Sequence, residues 1–329
     1  MSDAEPEHRF ASYVRTLGRG PGRSRALTRE EARDALGMVL RGETAPEQVG
    51  AFLMLLRYRG EAAEEISGLI EAARDAFEAG PPPDSPAVQL DWPSYGAGRT
   101  RGEPWFLLAA LALAASGVTV LMHGSNEFSQ GTAVEAGLAE LGLPVSHSRE
   151  QAAAEIAARR FAYLPLADLS PALDRLLTLR GLLGLRSPIN TVVRLINPFD
   201  AACAVDGVFH PPYIEVHLGA AERLGRHRLA VLKGGGGEAE RNPAKPITVH
   251  LWDHAAGRRE LLLPPAPLPG EAGSLSDAWQ GGSGPGAATA RATVALALLA
   301  LGRASDAEEA DRLAEAVWAR RLRVHDLVA

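Results

Sequence analysis

Two glycine-containing segments have the composition of anion-binding loops. The first is 94–98 (SYGAG), which follows a short apolar run at 88–90, and the second is 123–126 (HGSN), which follows a β-branched run at 118–121. Backbone N–H groups in such loops, and at helix N-termini, can hold phosphates and other anions. The candidate anion-binding residues in these loops are Ser94, Tyr95, Gly96, Gly98, His123, Gly124, Ser125 and Asn126.

The elements around these loops predict a parallel sheet. The Ala/Leu run from Trp105 to Ala115 predicts a helix between the two short strands, and a second helix closes the unit near Gly142. The order β-loop-α-β-loop-α is typical of parallel sheets, in which both loops lie at the carboxyl ends of strands.

The first part of the chain predicts helices only. Capping boxes at Thr28 and at Thr44 begin two of them, and residues 61–79 predict a third. Three consecutive prolines at 81–83 mark a boundary. We therefore expect a small helical N-terminal domain, residues 1–82, completed by helices around 165–185. A larger α/β domain, residues 83–329, would carry a central, mainly parallel sheet flanked by helices.

The rest of the larger domain alternates between helix and strand patterns. Predicted helices are 151–160, 174–185, 214–224, 287–301 and 306–321. Predicted strands are 161–164, 229–232, 247–252 and 258–263, of which the last two would form a hairpin. Residues 264–286 are rich in Pro, Gly and Ser and predict a surface connection or flexible link.

Composition narrows the class of protein. The net charge of -6 provides no overall basic field for nucleic acid, and 46% hydrophobic residues suffice for a sizeable core. The single cysteine, Cys203, lies in an apolar run and predicts a core thiol. We see no signal-peptide pattern at the N-terminus, and the longest apolar runs are too short to span a bilayer. We expect a cytoplasmic protein without membrane contact.

Two basic stretches contain no acidic residue, 9–29 and 175–199. They could line a groove for nucleic-acid phosphates, with Arg57 and the arginines after the first loop nearby. The alternative for the first stretch is a solvated tail followed by the start of a helix. The candidate arginines are Arg19, Arg23, Arg25, Arg99, Arg101, Arg175, Arg186 and Arg194. Tyr95, Trp92 and Trp105 are candidates for stacking on bases, although core packing is the alternative for Trp105.

The stretch 91–142 resembles the anthranilate phosphoribosyltransferase family, whose loops read GTGGD and KHGNR. The central helix, the following strand, His123-Gly124 and Leu141-Gly142 fall in register, and Ser129 takes the place of the first serine after KHGNR. GTGGD has become SYGAG, and the N-I-S-T run that opens the helix has become Pro104-Trp105-Phe106-Leu107. The resemblance implies the family's fold and its dimerisation through the N-terminal helices.

The segment 185–198 resembles the family's G-x-R-T-x-x-N-L-L-G-P-L-x-N-P, with matches that include Arg186 and Asn190. The resemblance places it beside the acceptor site, with Arg180 at or next to the arginine that binds the acceptor's carboxylate. The family holds magnesium with an Asp-Glu pair. Here Gly237 replaces the Asp and Glu238 keeps the Glu, while Glu240 could substitute only with a register shift. Glu238 is the candidate metal ligand.

One branch, the YbiB type, carries P-S-Y-N-G-A-R in place of GTGGD, which 93–99 (PSYGAGR) resembles. It also carries H-G-T-E-G-E followed by N-P, which 233–243 resembles. The resemblance implies a dimer that has lost phosphoribosyl transfer and binds single- or double-stranded nucleic acid non-specifically, with no cofactor required.

Two alternatives stay open. One is an active phosphoribosyl- or glycosyltransferase with an altered donor or acceptor, which would need Mg²⁺. The other is an inert paralogue that binds a small anion. No residue is assigned a catalytic role, and His123 is a candidate for a hydrogen bond that anchors a loop.

Overall fold

The computed structural model describes residues 8–20, 22–96, 102–125, 127–128, 130–266, 268, 270, 273–281 and 283–321. Five of the candidate site residues lie outside this part of the chain: Gly98, Arg99, Arg101, Asn126 and Ser129.

The N-terminal part is helical, as predicted. Its helices are α1 (Ala11–Gly18), α2 (Arg29–Leu40), α3 (Pro46–Arg59) and α4 (Ala63–Ala76). The capping box at Thr28 is confirmed, because its hydroxyl accepts from Glu31 N at 3.2 Å while the Glu31 carboxylate accepts from Thr28 N at 2.9 Å. The predicted capping box at Thr44 does not form. The N-cap of α3 is Ala45, whose N–H donates to Gln48 Oε1 at 3.0 Å.

The remaining helices surround and follow the sheet. They are α5 (Trp105–Ala115), α6 (Val134–Glu140), α7 (Arg149–Arg159), α8 (Leu166–Leu169), α9 (Pro171–Thr178), α10 (Arg180–Leu183), α11 (Ile189–Val192), α12 (Pro212–Arg223), α13 (Leu275–Gly281), α14 (Pro285–Ala300) and α15 (Ala307–Ala319). A 3-10 turn spans Gly235–Gly237. The predicted helix 174–185 is divided into α9 and α10, and α4 is shorter than the predicted 61–79.

The sheet within the described residues has seven strands in the order β3-β2-β1-β4-β5-β6-β7. The strands are β1 (Leu90–Ser94), β2 (Val120–Gly124), β3 (Phe161–Pro165), β4 (Cys203–Val208), β5 (Arg228–Lys233), β6 (Ile247–Asp253) and β7 (Gly257–Leu263). Pairing is parallel from β3 to β5, and β6 and β7 add the predicted antiparallel hairpin. The mainly parallel sheet is therefore confirmed.

Strands β1 and β2 continue into the segments that the sequence assigns to loops. Ser94 pairs with Gly124 and Pro93 pairs with His123, so these residues belong to the sheet. A hydrophobicity pattern does not detect strand ends that consist of polar and small residues. Such residues still pair in the sheet, because the pairing is made by the backbone. The two loops still begin at the carboxyl ends of adjacent parallel strands.

The predicted connection 264–286 also contains more structure than its composition indicates. Helix α13 buries Leu275 and Trp279, and the Trp279 ring lies edge-on to Trp318, with 5.7 Å between ring centroids. The tryptophan attaches this segment to the final helix, which the surrounding Pro, Gly and Ser residues do not predict.

Two hydrophobic clusters divide the molecule. One joins the N-terminal helices to α8, α9, α11 and α12 on one face of the sheet, and the other packs α5 and α14 on the opposite face. Helix α5 is apolar around almost its whole circumference and is buried accordingly. Among the described residues we find no helix with the length and hydropathy to cross a membrane.

Candidate anion-binding site

The tyrosine at the start of the first loop is buried against the neighbouring strand. Tyr95 is 2% exposed, and its hydroxyl lies 2.7 Å from His123 Nδ1 at the end of the neighbouring strand. His123 Nε2 in turn lies 3.3 Å from Asp91 Oδ1. His123 thus makes the anchoring hydrogen bond predicted for it. Burial raises the pKa of Tyr95 well above its usual value. The base-stacking role suggested for Tyr95 and Trp92 is wrong, because both rings are buried.

The N-terminus of α5 is met by a carboxylate of the chain itself. The Phe106 N–H donates to Glu240 Oε2 at 2.9 Å, and the N-cap residue, Pro104, provides no side-chain acceptor. The exposed N–H groups and the dipole of a helix N-terminus attract negative charge. Glu240 therefore occupies one of the positions at which a phosphate oxygen could bind.

We expect Glu240→Ala to open this helix terminus. Loss of a capping carboxylate should lower the free energy of unfolding by about 1 kcal/mol. Added pyrophosphate should then restore part of that stability, because an external anion can reach the vacated N–H group. Urea unfolding with and without pyrophosphate measures both effects. If pyrophosphate stabilises the wild type equally, Glu240 does not block the terminus.

The candidate metal ligand is enclosed. Glu238 is buried, and its Oε1 accepts from Ser94 Oγ at 3.2 Å. Gly237 stands where a second carboxylate would be needed, with a φ of 81° that favours glycine. Within the described residues no group of three His, Cys, Asp or Glu side chains is placed to hold a metal ion. Since Mg²⁺ needs clustered hard oxygen ligands, the residues present do not fit the family's magnesium site.

A cavity between the helical part and the sheet gathers positive charge. Its volume is about 50 Å³. The lining residues are Arg57, Arg186, Ser187, Asn190, Thr191, Arg194, Gly207, Val208, Phe209, His210, Tyr213 and His217. No carboxylate is among these described lining residues. We call this the cationic cavity.

Two arginines that line this cavity, Arg57 and Arg186, and Arg180 beside Arg186 lack an ion pair among the described residues. Arg57 donates to the Tyr213 hydroxyl, Arg186 lies 5.6 Å from the Phe209 ring centroid, and Arg180 lies 4.8 Å from that of Phe128. Neither Arg57, Arg180 nor Arg186 forms an ion pair with a described carboxylate. Glu61 hydrogen-bonds to Tyr213 and is also attracted to Arg57, while burial raises the pKa of its carboxyl.

Arg186 experiences the combined positive field. Burial, followed by the charges of Arg180, Arg194 and Arg57, lowers its pKa to about 10. A guanidinium nevertheless stays protonated near neutral pH. Burial is the main cause of the shift, and the three neighbouring arginines add to it; a bound anion would offset their mutual repulsion. The arginines at the cationic cavity could therefore bind an anion.

The prediction that Arg194 contacts nucleic acid at the surface is wrong. It is 8% exposed, and its guanidinium donates to the carbonyl oxygens of Asn190 and Tyr95, each at 2.6 Å. It connects the segment 185–198 to Tyr95 from inside the protein. Burial lowers its pKa, while Glu238 and Asp206 act in the opposite direction.

Three arginines of the acid-free stretch 9–29 pair with carboxylates outside it. Arg9 pairs with Asp34, Arg25 with Glu31 and Arg29 with Glu71, at 2.5 to 2.6 Å. The tail alternative is wrong as well, because α1 forms within this stretch. Arg19, Arg23 and Arg175 are exposed at the surface. The sequence could not reveal these pairs, since the acids are up to 42 residues distant.

The structure adds residues that sequence reasoning missed. Asp206 lies on buried strand β4, and its Oδ2 is 2.8 Å from Nδ1 of His217 on α12. Phe209 and Tyr213 form the aromatic wall of the cationic cavity. The sequence held one signal for Asp206, namely a charged residue within the apolar run 203–208.

Comparison with known proteins identifies the scaffold. The helical bundle domain of the glycosyl transferase family matches residues 11–77, and the a/b domain of that family matches residues 106–290. The YbiB protein of Escherichia coli is 27% identical over 308 residues, which cover 90% of this chain and 95% of YbiB. An anthranilate phosphoribosyltransferase of Anaeromyxobacter sp. is 30% identical over 309 residues, with 88% and 90% covered.

Solved structures agree. The anthranilate phosphoribosyltransferase of Thermus thermophilus has a TM-score of 0.76 at 26% sequence identity, covering 97% of this chain and 96% of that one. The Saccharomyces cerevisiae enzyme, in complex with PRPP and Mg, shares the fold with a TM-score of 0.75 at 17% identity, covering 98% of this chain and 97% of that one.

A helical bundle joined to a mainly parallel α/β domain, with a cationic cavity between them, defines a glycosyltransferase scaffold. The chain belongs to the glycosyl transferase family and is similar to anthranilate phosphoribosyltransferases.

Proposed function

We propose that this chain has lost phosphoribosyl transfer and binds nucleic acid non-specifically through phosphate contacts at the cationic cavity. The observation that carries the proposal is the cluster of Arg57, Arg180 and Arg186, none of which pairs with a described carboxylate. Phosphate groups match guanidinium charge and geometry. Burial and, after it, the charges of Arg180, Arg194 and Arg57 lower the pKa of Arg186.

The state of the donor side supports the loss of transfer. Catalysis of phosphoribosyl transfer depends on positioning a pyrophosphate and its metal. Glu240 caps α5, Glu238 is buried against Ser94, and Tyr95 is buried at the end of β1. An incoming pyrophosphate would meet carboxylates and a tyrosine ring where donors are needed.

The alternative is an active phosphoribosyl- or glycosyltransferase with an altered donor or acceptor. It is favoured by the match of the a/b domain over residues 106–290 and by the position of Asn190 and Arg186 in one cavity. Under this alternative Glu240 would leave Phe106 when the donor binds. An anionic acceptor would then occupy the cationic cavity.

One titration separates the two functions. Fluorescence anisotropy of a labelled oligonucleotide is measured at two salt concentrations, with phosphoribosyl pyrophosphate and Mg²⁺ as competitor. We expect binding that weakens steeply with salt, because phosphate contacts release counterions, and that ignores the competitor. If no oligonucleotide binds and calorimetry shows saturable binding of phosphoribosyl pyrophosphate, the proposal is wrong and the transferase alternative is supported.

We also propose a homodimer through the N-terminal helices. Tyr58 on α3 is 90% exposed, and Leu182 on the adjacent α10 is 83% exposed. Helix α10 approaches α3, since a Cβ at Gly50 would lie 3.8 Å from Leu183 Cδ2. Exposed apolar patches are typical of protein interfaces. A second copy of this chain would bury both patches through a twofold axis.

The dimer can be tested by light scattering after gel filtration. Tyr58→Asp combined with Leu182→Asp should convert a dimer into a monomer, since two buried charges oppose association. Leu262→Asp is the matched control, because Leu262 is also exposed but lies on β7. A wild-type protein that elutes as a monomer at micromolar concentrations would contradict the proposal.

A further inference from the structure

We infer that the buried pair of Asp206 and His217 links phosphate binding at the cationic cavity to proton uptake, so that affinity rises as the pH falls. This link rests on the proposed function and concerns the regulation of the same site. His217 lies on α12 and lines the cavity, and its Nδ1 lies 2.8 Å from Oδ2 of Asp206 on β4. The His217 and Asp206 side chains are 2% and 0% exposed, so water screens the charge of the pair only weakly.

The pair changes its charge by one proton. An ionised carboxylate beside a neutral imidazole carries one net negative charge, and a further proton makes the pair neutral. The two groups share a hydrogen bond, so this proton belongs to the pair as a whole. The change in charge is therefore the same whichever ring nitrogen or carboxylate oxygen carries the proton. Imidazole is the side chain whose charge normally changes between about pH 5 and pH 8.

Burial and the neighbouring positive charges act on this pair in opposite directions. Burial raises the pKa of the Asp206 carboxyl, because a buried negative charge is costly. The hydrogen bond from His217 and the charge of Arg194 lower it. Oδ1 of Asp206 has no hydrogen-bond partner among the described residues, so that oxygen receives no such stabilisation. Offsetting the positive charge around the pair should therefore shift it toward the neutral form.

A bound phosphate changes this balance. Its negative charge offsets those of Arg57 and Arg186 at the cavity and repels the negative form of the pair. Both effects favour proton uptake. Because linkage is reciprocal, proton uptake strengthens phosphate binding by the same factor. Two unit charges separated by about 10 Å, at an effective dielectric constant of about 20, change a binding constant about tenfold.

Several charged groups around the pair keep their charge near neutral pH or pair elsewhere. Burial lowers the pKa of Arg226 only to about 10 and raises that of the Cys203 thiol, so neither group changes its charge. Asp91 on β1 adds its negative field to that of Asp206 and lies 3.3 Å from His123 Nε2. The elements packed against α12 carry groups with partners of their own: Glu65 with Arg59, Glu71 with Arg29, Asp253 with Arg228, and His250 with Glu260.

Two other groups at the cavity titrate in the same direction as the pair. His210 lines the cavity and is exposed, and Glu61 hydrogen-bonds to Tyr213, with a pKa that burial raises. A positive charge gained at His210, or a negative charge lost at Glu61, would also favour anions at lower pH. The parent protein for the test therefore carries His210→Gln and Glu61→Gln, which hold both positions neutral.

The test measures binding of a thymidine oligonucleotide by fluorescence anisotropy at about pH 8 and about pH 6, at one salt concentration and with a label that does not titrate in this range. We expect the parent to bind about tenfold more tightly at the lower pH. Asp206→Asn removes the negative charge, so at the higher pH it should bind as tightly as the parent does at the lower pH. His217→Asn keeps a donor for Asp206 but has no imidazole to protonate, so it should keep the weaker affinity at both pH values.

His250→Asn is the matched control and should retain the pH effect of the parent. It also removes a histidine that lies beside a carboxylate, Glu260 at 3.1 Å, but His250 does not line the cavity. Circular dichroism checks that each variant is folded. A folded Asp206→Asn or His217→Asn variant with the parent's full pH effect would overturn the inference and leave phosphate binding intact. If the oligonucleotide binds at neither pH, the proposed function itself is wrong, so the two failures are distinguishable.

Discussion

Replacing Arg57 and Arg186 together by alanine is expected to weaken oligonucleotide binding about 100-fold, since each lost charged contact is worth about 1.5 kcal/mol. The salt dependence should fall at the same time. For a single strand, the slope of log K against log salt should decrease by about 1.4 for two lost phosphate contacts. Anisotropy titrations at several salt concentrations yield both quantities from the same samples.

The matched control is the double variant Arg33→Ala and Arg41→Ala. These exposed arginines pair with Asp75 and Glu43, away from the cationic cavity, and their removal changes the net charge equally. Exposed ion pairs contribute little to stability, so the control should remain folded. If both double variants lose affinity equally, binding depends on overall charge, and the cationic cavity is not the site.

Gly124→Ala is expected to destabilise the folded protein by at least about 3 kcal/mol, a large effect for one methyl group. A Cβ at this position would lie 2.0 Å from Ser94 O on the adjacent strand. The two strands would have to separate at their carboxyl ends, where Tyr95 and His123 form their hydrogen bond. Urea unfolding followed by circular dichroism measures the change.

Gly181→Ala is the control for this substitution. No atom lies within 4 Å of a Cβ at Gly181, and the residue is helical, so alanine should be neutral or stabilising by up to about 1 kcal/mol. A fall in stability at Gly181 comparable to that at Gly124 would show that the close approach of β1 and β2 is not the cause.

The sequence predicts elements well where one physical signal dominates. Helix α5 has the bounds read from its apolar run, Trp105–Ala115, because a continuous apolar stretch after Pro104 leaves little ambiguity. The capping box at Thr28 is likewise a local signal. The ends of β1 and β2 at Ser94 and Gly124 have no local signal, because they are determined by backbone pairing between segments distant in sequence.

The site was less predictable than the fold. Asn190 and Arg186 were found through their resemblance to a family motif, and they do meet in one cavity. Arg194 lies in the same segment but departs from the motif, and its side chain points inward to the carbonyl oxygen of Tyr95. The loss of free charge in the stretch 9–29 depends on acids from α2 and α4. Such tertiary pairings leave no trace in local composition.

The central position of β1 has a consequence for how the protein is made. On one side β1 pairs with β4, where Leu90 lies opposite Cys203, more than a hundred residues later in the chain. The helical N-terminal part likewise packs against α12, with Arg29 donating to Arg223 O. A nascent chain therefore emerges with its first helices and first strand complete but without the surfaces that cover them.

Contacts between distant segments slow folding, and uncovered apolar surface favours aggregation. We therefore expect the N-terminal helices to reach their final packing only after β4 and α12 have been synthesised. Their apolar faces would be exposed to chaperones until more than two thirds of the chain has left the ribosome.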